Sequence, residues 1–209
     1  MLFFDIETKT NPLNIQFIDP PSAPGNYKDP EKIQKYQDEK MAELIAKGAL
    51  DSDIGYIVAI GYQEDDQLVQ SVTINEMTEK EMVNIFWNKY REHGGFCCGY
   101  NIIGFDLPYL MKRAFELRVQ IVNNSTFTKP PYLGRYQTEP VRDLMGILYN
   151  WNSFKSLKWV AKRYGLNNPL PELEGSQVEN MDNETLKAYV SNDVHLVKQL
   201  SDLMSGVYF

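Results

Sequence analysis

Near its start the chain reads Leu2-Phe3-Phe4-Asp5-Ile6-Glu7. Two carboxylates lie inside an apolar run whose residues suit a buried strand. Residues i and i+2 of a strand point to one face, about 7 Å apart. Two ionised carboxylates on one half-buried face repel each other and lose hydration, at a cost of several kcal/mol unless something compensates. A divalent cation compensates both; a solvated sheet edge is the other way out. Asp-x-Glu also occurs at Asp29/Glu31 and Asp182/Glu184, but both pairs lie at helix starts, where capping and the helix dipole account for them.

The rest of the chain sets this strand in an α/β pattern. Residues 11–29 with Pro30 hold Pro12, Pro20, Pro21, Pro24 and Gly25 and read as a loop. Asp29-Pro30 opens a helix to about Gly48, with Ile33, Met41, Leu44 and Ile45 along one face. Residues 54–62 read as a buried strand, 64–66 as a hairpin turn and 68–74 as its return. Thr78 with Glu81 fits a capping box for a helix that stops at Gly94-Gly95. A short strand over 96–99 follows, then a helix over 106–117 that tolerates Pro108 in its first turn. Residues 119–139 are irregular, and 141–149 are a helix or a strand followed by a helix. Ser153 or Ser156 caps a helix ending at Gly165, and Asp182 caps a final helix to about Met204. A strand meander followed by β–α alternation predicts a mixed β-sheet flanked by α-helices. No internal repeat or interdomain linker is visible, so one domain over 1–209 is expected.

Two further sites set acidic groups in apolar surroundings. Asp106 lies within Tyr100-Asn101-Ile102-Ile103-Gly104-Phe105-Asp106-Leu107-Pro108-Tyr109, where a strand hands over to a helix. An N-cap role and a metal-facing role are compatible there, and Phe105 suits either core packing or stacking on a base. In the final helix, Leu186, Tyr189, Val190, Val197, Leu200 and Met204 form an apolar stripe with Asp193 in its middle. Tyr189 and Asp193 share one face at i, i+4. Tyr62 and Asp66 have the same spacing but cross from a strand end into a turn. Asp5, Glu7, Asp106, Asp193 and Tyr189 together suggest a paired-metal phosphodiester site, with hard oxygen ligands for Mg²⁺ or Mn²⁺. Zinc is unsupported, because His93 and His195 are the only histidines and Cys97-Cys98 lack ligand spacing.

Composition limits the partners. The net charge of −7 disfavours tight, non-specific duplex binding, which needs many phosphate contacts. Lys155, Lys158, Lys162 and Arg163 are read as a solvated helix face ahead of a backbone-tracking one. Lys112 and Arg113, just after the second motif, are the better phosphate candidates. No segment reaches the roughly 20 apolar residues of a membrane helix, so no membrane partner is expected. The first residues lack the regions of a secretory signal, and adjacent cysteines cannot staple distant segments. The expected compartment is therefore reducing and cytoplasmic.

These motifs resemble those of the DEDD (DnaQ-like) 3′–5′ exonucleases of the RNase H-like fold, most closely the proofreading domain of family-B DNA polymerases. Phe4-Asp5-Ile6-Glu7-Thr8 is similar to the first exonuclease motif, residues 100–109 to the second and Tyr189-x3-Asp193 to the third in its tyrosine form. The histidine form is excluded, because the position five before Asp193 is Ala188. The resemblance implies that Asp5 bridges two metal ions and that Glu7 and Asp193 hold the ion that activates water. It gives Asp106 the second ion and Tyr189 the orientation of the attacking water. It also implies that Thr8, Asn101 and Phe105 hold the terminal nucleotides. The expected activity is a stand-alone, metal-dependent 3′–5′ exonuclease on single-stranded DNA ends. An exoribonuclease on the same scaffold and a non-catalytic nucleic-acid-binding module stay open, as does a replication or repair protein as partner. Two segments depart from the family pattern: an insertion at about 9–51 and the stretch 123–139.

Overall fold

In a computed structural model, the chain is described over residues 1–123, 129–131, 133–134, 138–150 and 153–209. It divides into two compact units, Met1–Glu7 with Ile57–Phe209, and Thr8–Tyr56. Of the stretch 123–139 singled out above, residues 124–128, 132 and 135–137 lie outside the described residues.

The larger unit is built on a five-stranded sheet of order β3-β2-β1-β4-β5. The strands are β1 (Leu2–Thr10), β2 (Gly55–Glu64), β3 (Gln70–Thr73), β4 (Cys97–Gly99) and β5 (Val141–Asp143). β2 and β3 pair antiparallel, while β4 runs parallel to both β1 and β5, so the sheet is mixed as expected. The helices of this unit are α2 (Glu79–Glu92), α3 (Asp106–Leu117), α4 (Leu144–Tyr149), α5 (Leu157–Tyr164) and α6 (Asn183–Met204).

Two apolar clusters lie on the two faces of the sheet. Leu2, Phe4 and Ile6 of β1 join Cys97 and the buried residues of α2 and α3, among them Phe86, Trp87 and Leu110. Phe3 and Cys98 join Leu144, Val160 and the stripe Val194, Val197, Leu200 and Met204 of α6. The alternation of β1 thus has a direct consequence: Asp5 and Glu7 share the parity of Phe3 and face the side that carries α6. α6 packs close to the sheet at Gly61 of β2. A Cβ there would meet the Val190 carbonyl oxygen and a Val194 methyl at 2.9 Å each, nearer than side chains approach.

Local chemistry sets the helix ends. Thr78 and Glu81 form the reciprocal capping box of α2. Ser156, rather than Ser153, caps α5, which ends at Gly165 with φ of 68°. Residues 141–149 resolve into a strand and a short helix, with Asp143 at the junction. Leu68 is 88% exposed, and β3 is shorter than the 68–74 expected. No helix among the described residues is long and apolar enough to cross a membrane.

The smaller unit includes residues 9–51. Its helix α1 (Pro30–Ala46) is capped by Asp29. None of its residues is fully buried: Ile33, Met41 and Ile45 are half-buried, and Leu44 is 43% exposed. Side-chain hydrogen bonds tie its segments together, Thr8 to the Ala49 carbonyl at 2.7 Å and Thr10 to the Ile45 carbonyl at 3.3 Å.

Candidate active site

The site forms where β1, the β4–α3 connection and α6 meet. Carboxylate oxygens of Asp5, Glu7 and Asp193 lie within 4.8 Å of one another. Glu7 and Asp193 are buried and Asp5 is half-buried. Asp106, at the start of α3, is also buried and accepts a hydrogen bond from the Ile6 backbone N–H at 3.2 Å, which ties it to β1. Tyr189 stands one helical turn before Asp193 on the buried side of α6, and both side chains line the same cleft.

Crowding makes these acids resist ionisation. Burial pushes Asp5 and Glu7 well above the ordinary carboxylate range, and their acidic neighbours push them further. Asp106 rises to about 7 through burial, opposed by the Ile6 N–H. Asp193 rises to about 6 for the same first reason, opposed by Lys158, Tyr189 and Asn192. Burial, then the charges of Asp193, Glu7 and Asp5, raise the Tyr189 phenol far above its usual value, so it keeps its proton at neutral pH. The donor set fits a hard divalent cation. Ligand oxygens about 2.1 Å from such an ion lie within about 4.2 Å of each other, near the spacing of the trio. Such an ion would also relieve the repulsion that raises their pKa values.

A cleft of about 380 Å³ opens beside the trio, lined by Ser156, Lys158, Glu174, Gly175, Ser176, Tyr189 and Asp193. Lys158 departs from the solvated-face reading. Its Nζ is buried without a hydrogen-bond partner among the described residues, 4.8 Å from the centre of the Tyr189 ring, and it lowers the pKa of both Asp193 and Glu7. Lys155, Lys162 and Arg163 are exposed, as that reading requires.

Among the nucleotide-holding candidates, Asn101 adopts a left-handed backbone at φ of 64°. Its carbonyl accepts the N–H groups of Gly104 and Phe105 at 3.0 Å each. The Asn101 side-chain oxygen occupies the space a Cβ would need at position 104, which explains the glycine there. Phe105 is half-buried against the core and packs on Tyr109, with ring centres 5.4 Å apart. The hydroxyl proton of Thr8 is spent on Ala49 within the smaller unit.

Arg113 requires a correction. It is buried and gives two 2.7 Å hydrogen bonds to Glu79, with a further ion pair to Glu116. A guanidinium held this way is a structural pair, not a phosphate contact. Lys112 stays on the helix surface, 3.7 Å from Glu116.

Two residues that the sequence reading did not single out for the site stand close to it. Asp143 is fully buried and accepts four backbone N–H groups. Its signal was partly available, since it is an aspartate followed by the apolar Leu144 and Met145 where a strand could hand over to a helix, as Asp106 is. Lys158 could be found only from the packing of α5 against α6, because its sequence spacing is that of an ordinary basic face.

The arrangement is a cluster of buried acidic groups on one face of a mixed, helix-flanked sheet. Residues 49–195 match a family described as "predicted 3′–5′ exonuclease related to the exonuclease domain of PolB", and the chain belongs to that family. The matched span contains Asp106, Tyr189 and Asp193; Asp5 and Glu7 precede it and join them through the fold. The structure of the family B DNA polymerase from the hyperthermophilic archaeon Pyrobaculum calidifontis shares the fold, with a TM-score of 0.64 and 21% identity. That match covers 97% of this chain and 24% of the polymerase chain, so the present chain spans about a quarter of its length. No curated protein matches the chain.

Proposed function

We propose that this protein is a metal-dependent 3′–5′ exonuclease that hydrolyses the terminal phosphodiester of single-stranded DNA by a two-metal mechanism. The observation that carries the reading is the convergence of the Asp5, Glu7 and Asp193 oxygens within 4.8 Å, with Tyr189 one turn before Asp193 in the lining of the same cleft. Asp5, Glu7, Asp193 and Asp106 are the residues that would hold the divalent ions, Mg²⁺ or Mn²⁺. Bound ions of this kind polarise the phosphoryl group, lower the pKa of water and stabilise the leaving 3′ oxygen.

The protein's own groups do the rest. Tyr189 keeps its proton and orients the attacking water by hydrogen bonding, so it is not the base. Lys158 lines a cleft that also holds the carboxylates of Glu174 and Asp193, and its positive charge there favours a phosphate. Asn101 and Phe105 seat the terminal nucleotide through a polar contact and an aromatic face. The negative net charge suits transient capture of a strand end better than tight duplex binding.

The test is degradation of 3′- and 5′-labelled single-stranded DNA and RNA in Mg²⁺, Mn²⁺ or EDTA. The chain alone should release mononucleotides from the 3′ end of DNA and do nothing in EDTA. Asp5→Ala or Asp193→Ala should lose about a thousandfold or more. Activity that survives EDTA or Asp5→Ala would overturn the mechanism; preference for RNA would move the substrate to the exoribonuclease reading.

A further inference from the structure

Asp143 closes β5 and is fully buried, where a carboxylate is costly unless hydrogen-bonded. Four backbone N–H groups surround it. Two belong to the helix it starts: Met145 and Gly146 donate to Oδ1 at 3.1 and 3.2 Å, the ordinary work of an N-cap. The other two come from 42 and 40 residues earlier. Asn101 donates to Oδ1 at 2.9 Å and Ile103 to Oδ2 at 3.0 Å. A cap needs neither of these. Both donors lie in the β4–α3 connection, which carries Asn101, Phe105 and Asp106.

The connection needs an outside hold. Its internal hydrogen bonds, from Gly104 and Phe105 to Asn101 and from Leu107 to Ile102, use carbonyls as acceptors and leave the N–H groups of Asn101 and Ile103 to find partners elsewhere. Asn101 also stands in the left-handed region, which a free loop leaves easily. Asp106 has its own tie to Ile6 on β1, whereas the 101–103 turn takes its hold from Asp143.

We infer that Asp143 is a positioning residue of the site: its two oxygens clamp the 101–103 turn and so fix where Asn101 and Phe105 meet the 3′-terminal nucleotide. This rests on the nuclease reading above. It assigns Asp143 to the nucleotide seat rather than to the metal-binding trio.

Capping and clamping separate in Asp143→Ser. Serine still caps α4, but its hydroxyl is too short to reach Asn101 and Ile103. In amide hydrogen exchange without metal, Asn101 and Ile103 should exchange at least about tenfold faster than in the native protein, with α6 unchanged. On single-stranded DNA, KM should rise about tenfold or more while kcat stays within about threefold, and Mn²⁺ affinity should hold within about twofold. Native exchange at both amides, or a native KM, would reduce Asp143 to a helix cap and overturn the inference. Should the serine variant fail to fold, Asp143→Asn keeps Oδ1 for the cap and Asn101 and turns an amide donor toward the Ile103 N–H; faster exchange at Ile103 and the same rise in KM are expected, and native values of either would overturn the inference. If the native protein degrades no strand, the nuclease reading fails, while the exchange experiment still decides the clamp.

Discussion

Tyr189 and its acidic neighbours carry the chemistry at the residue scale. Burial and three nearby carboxylates hold the phenol protonated, so Tyr189→Phe should remove one hydrogen bond and no base. A loss of about tenfold in kcat is expected, far less than for Asp193→Ala, as measured by single-turnover digestion. The carboxylates also link ion binding to pH. Asp106 and Asp193 rise from an ordinary 3.8 to about 7 and about 6, so the ion-free fold binds protons more tightly than the unfolded chain. Its stability from these groups is present below pH 3.8 and is lost as pH climbs toward 7. A divalent ion restores it, so the thermal shift caused by Mn²⁺ should grow between about pH 5 and pH 8, as checked by differential scanning fluorimetry. Asp5, Glu7 and Asp193 were legible as a set because strand alternation and the helical stripe place them. Arg113 was not, because its partner Glu79 comes from another helix, and only the packing of α2 on α3 reveals a buried pair.

Elements bring the distant residues together. β1 offers Asp5 and Glu7 to the face that carries α6, and α6 can lie there because Gly61 leaves room for its backbone. Gly61→Ala should push α6 away and cost about 1–3 kcal/mol in a urea titration, with a parallel loss of Mn²⁺ affinity. Arg113→Met leaves the buried Glu79 without its cation, with only the Ile57 N–H to bond it, and should cost about 3–5 kcal/mol by the same measurement, while folded molecules keep their activity. Most element identities could be read from apolar periodicity and caps such as Thr78 and Asp182. The division at Asp143 was left open between a helix and a strand followed by a helix, because three strand residues are too few for a period to decide. The short 3₁₀ turn over Gly175–Asn180, which begins within the cleft lining, escaped, since its sequence has no apolar stripe.

At the scale of the whole molecule, the fold is held by two apolar clusters that do not depend on an ion. Chelation should therefore abolish hydrolysis yet leave a cooperative melting transition, visible by circular dichroism. The sequence indicated the mixed sheet, but not that residues 8–56 form a compact unit of their own, because α1 lacks a fully buried face. The central claim is that Asp5, Glu7 and Asp193 form a single cation site. Anomalous diffraction from crystals soaked in Mn²⁺ tests it most directly. A strong peak enclosed by oxygens of those three carboxylates is the expected result. Saturating Mn²⁺ that leaves the trio without a peak, or sits elsewhere on the protein, would contradict the account.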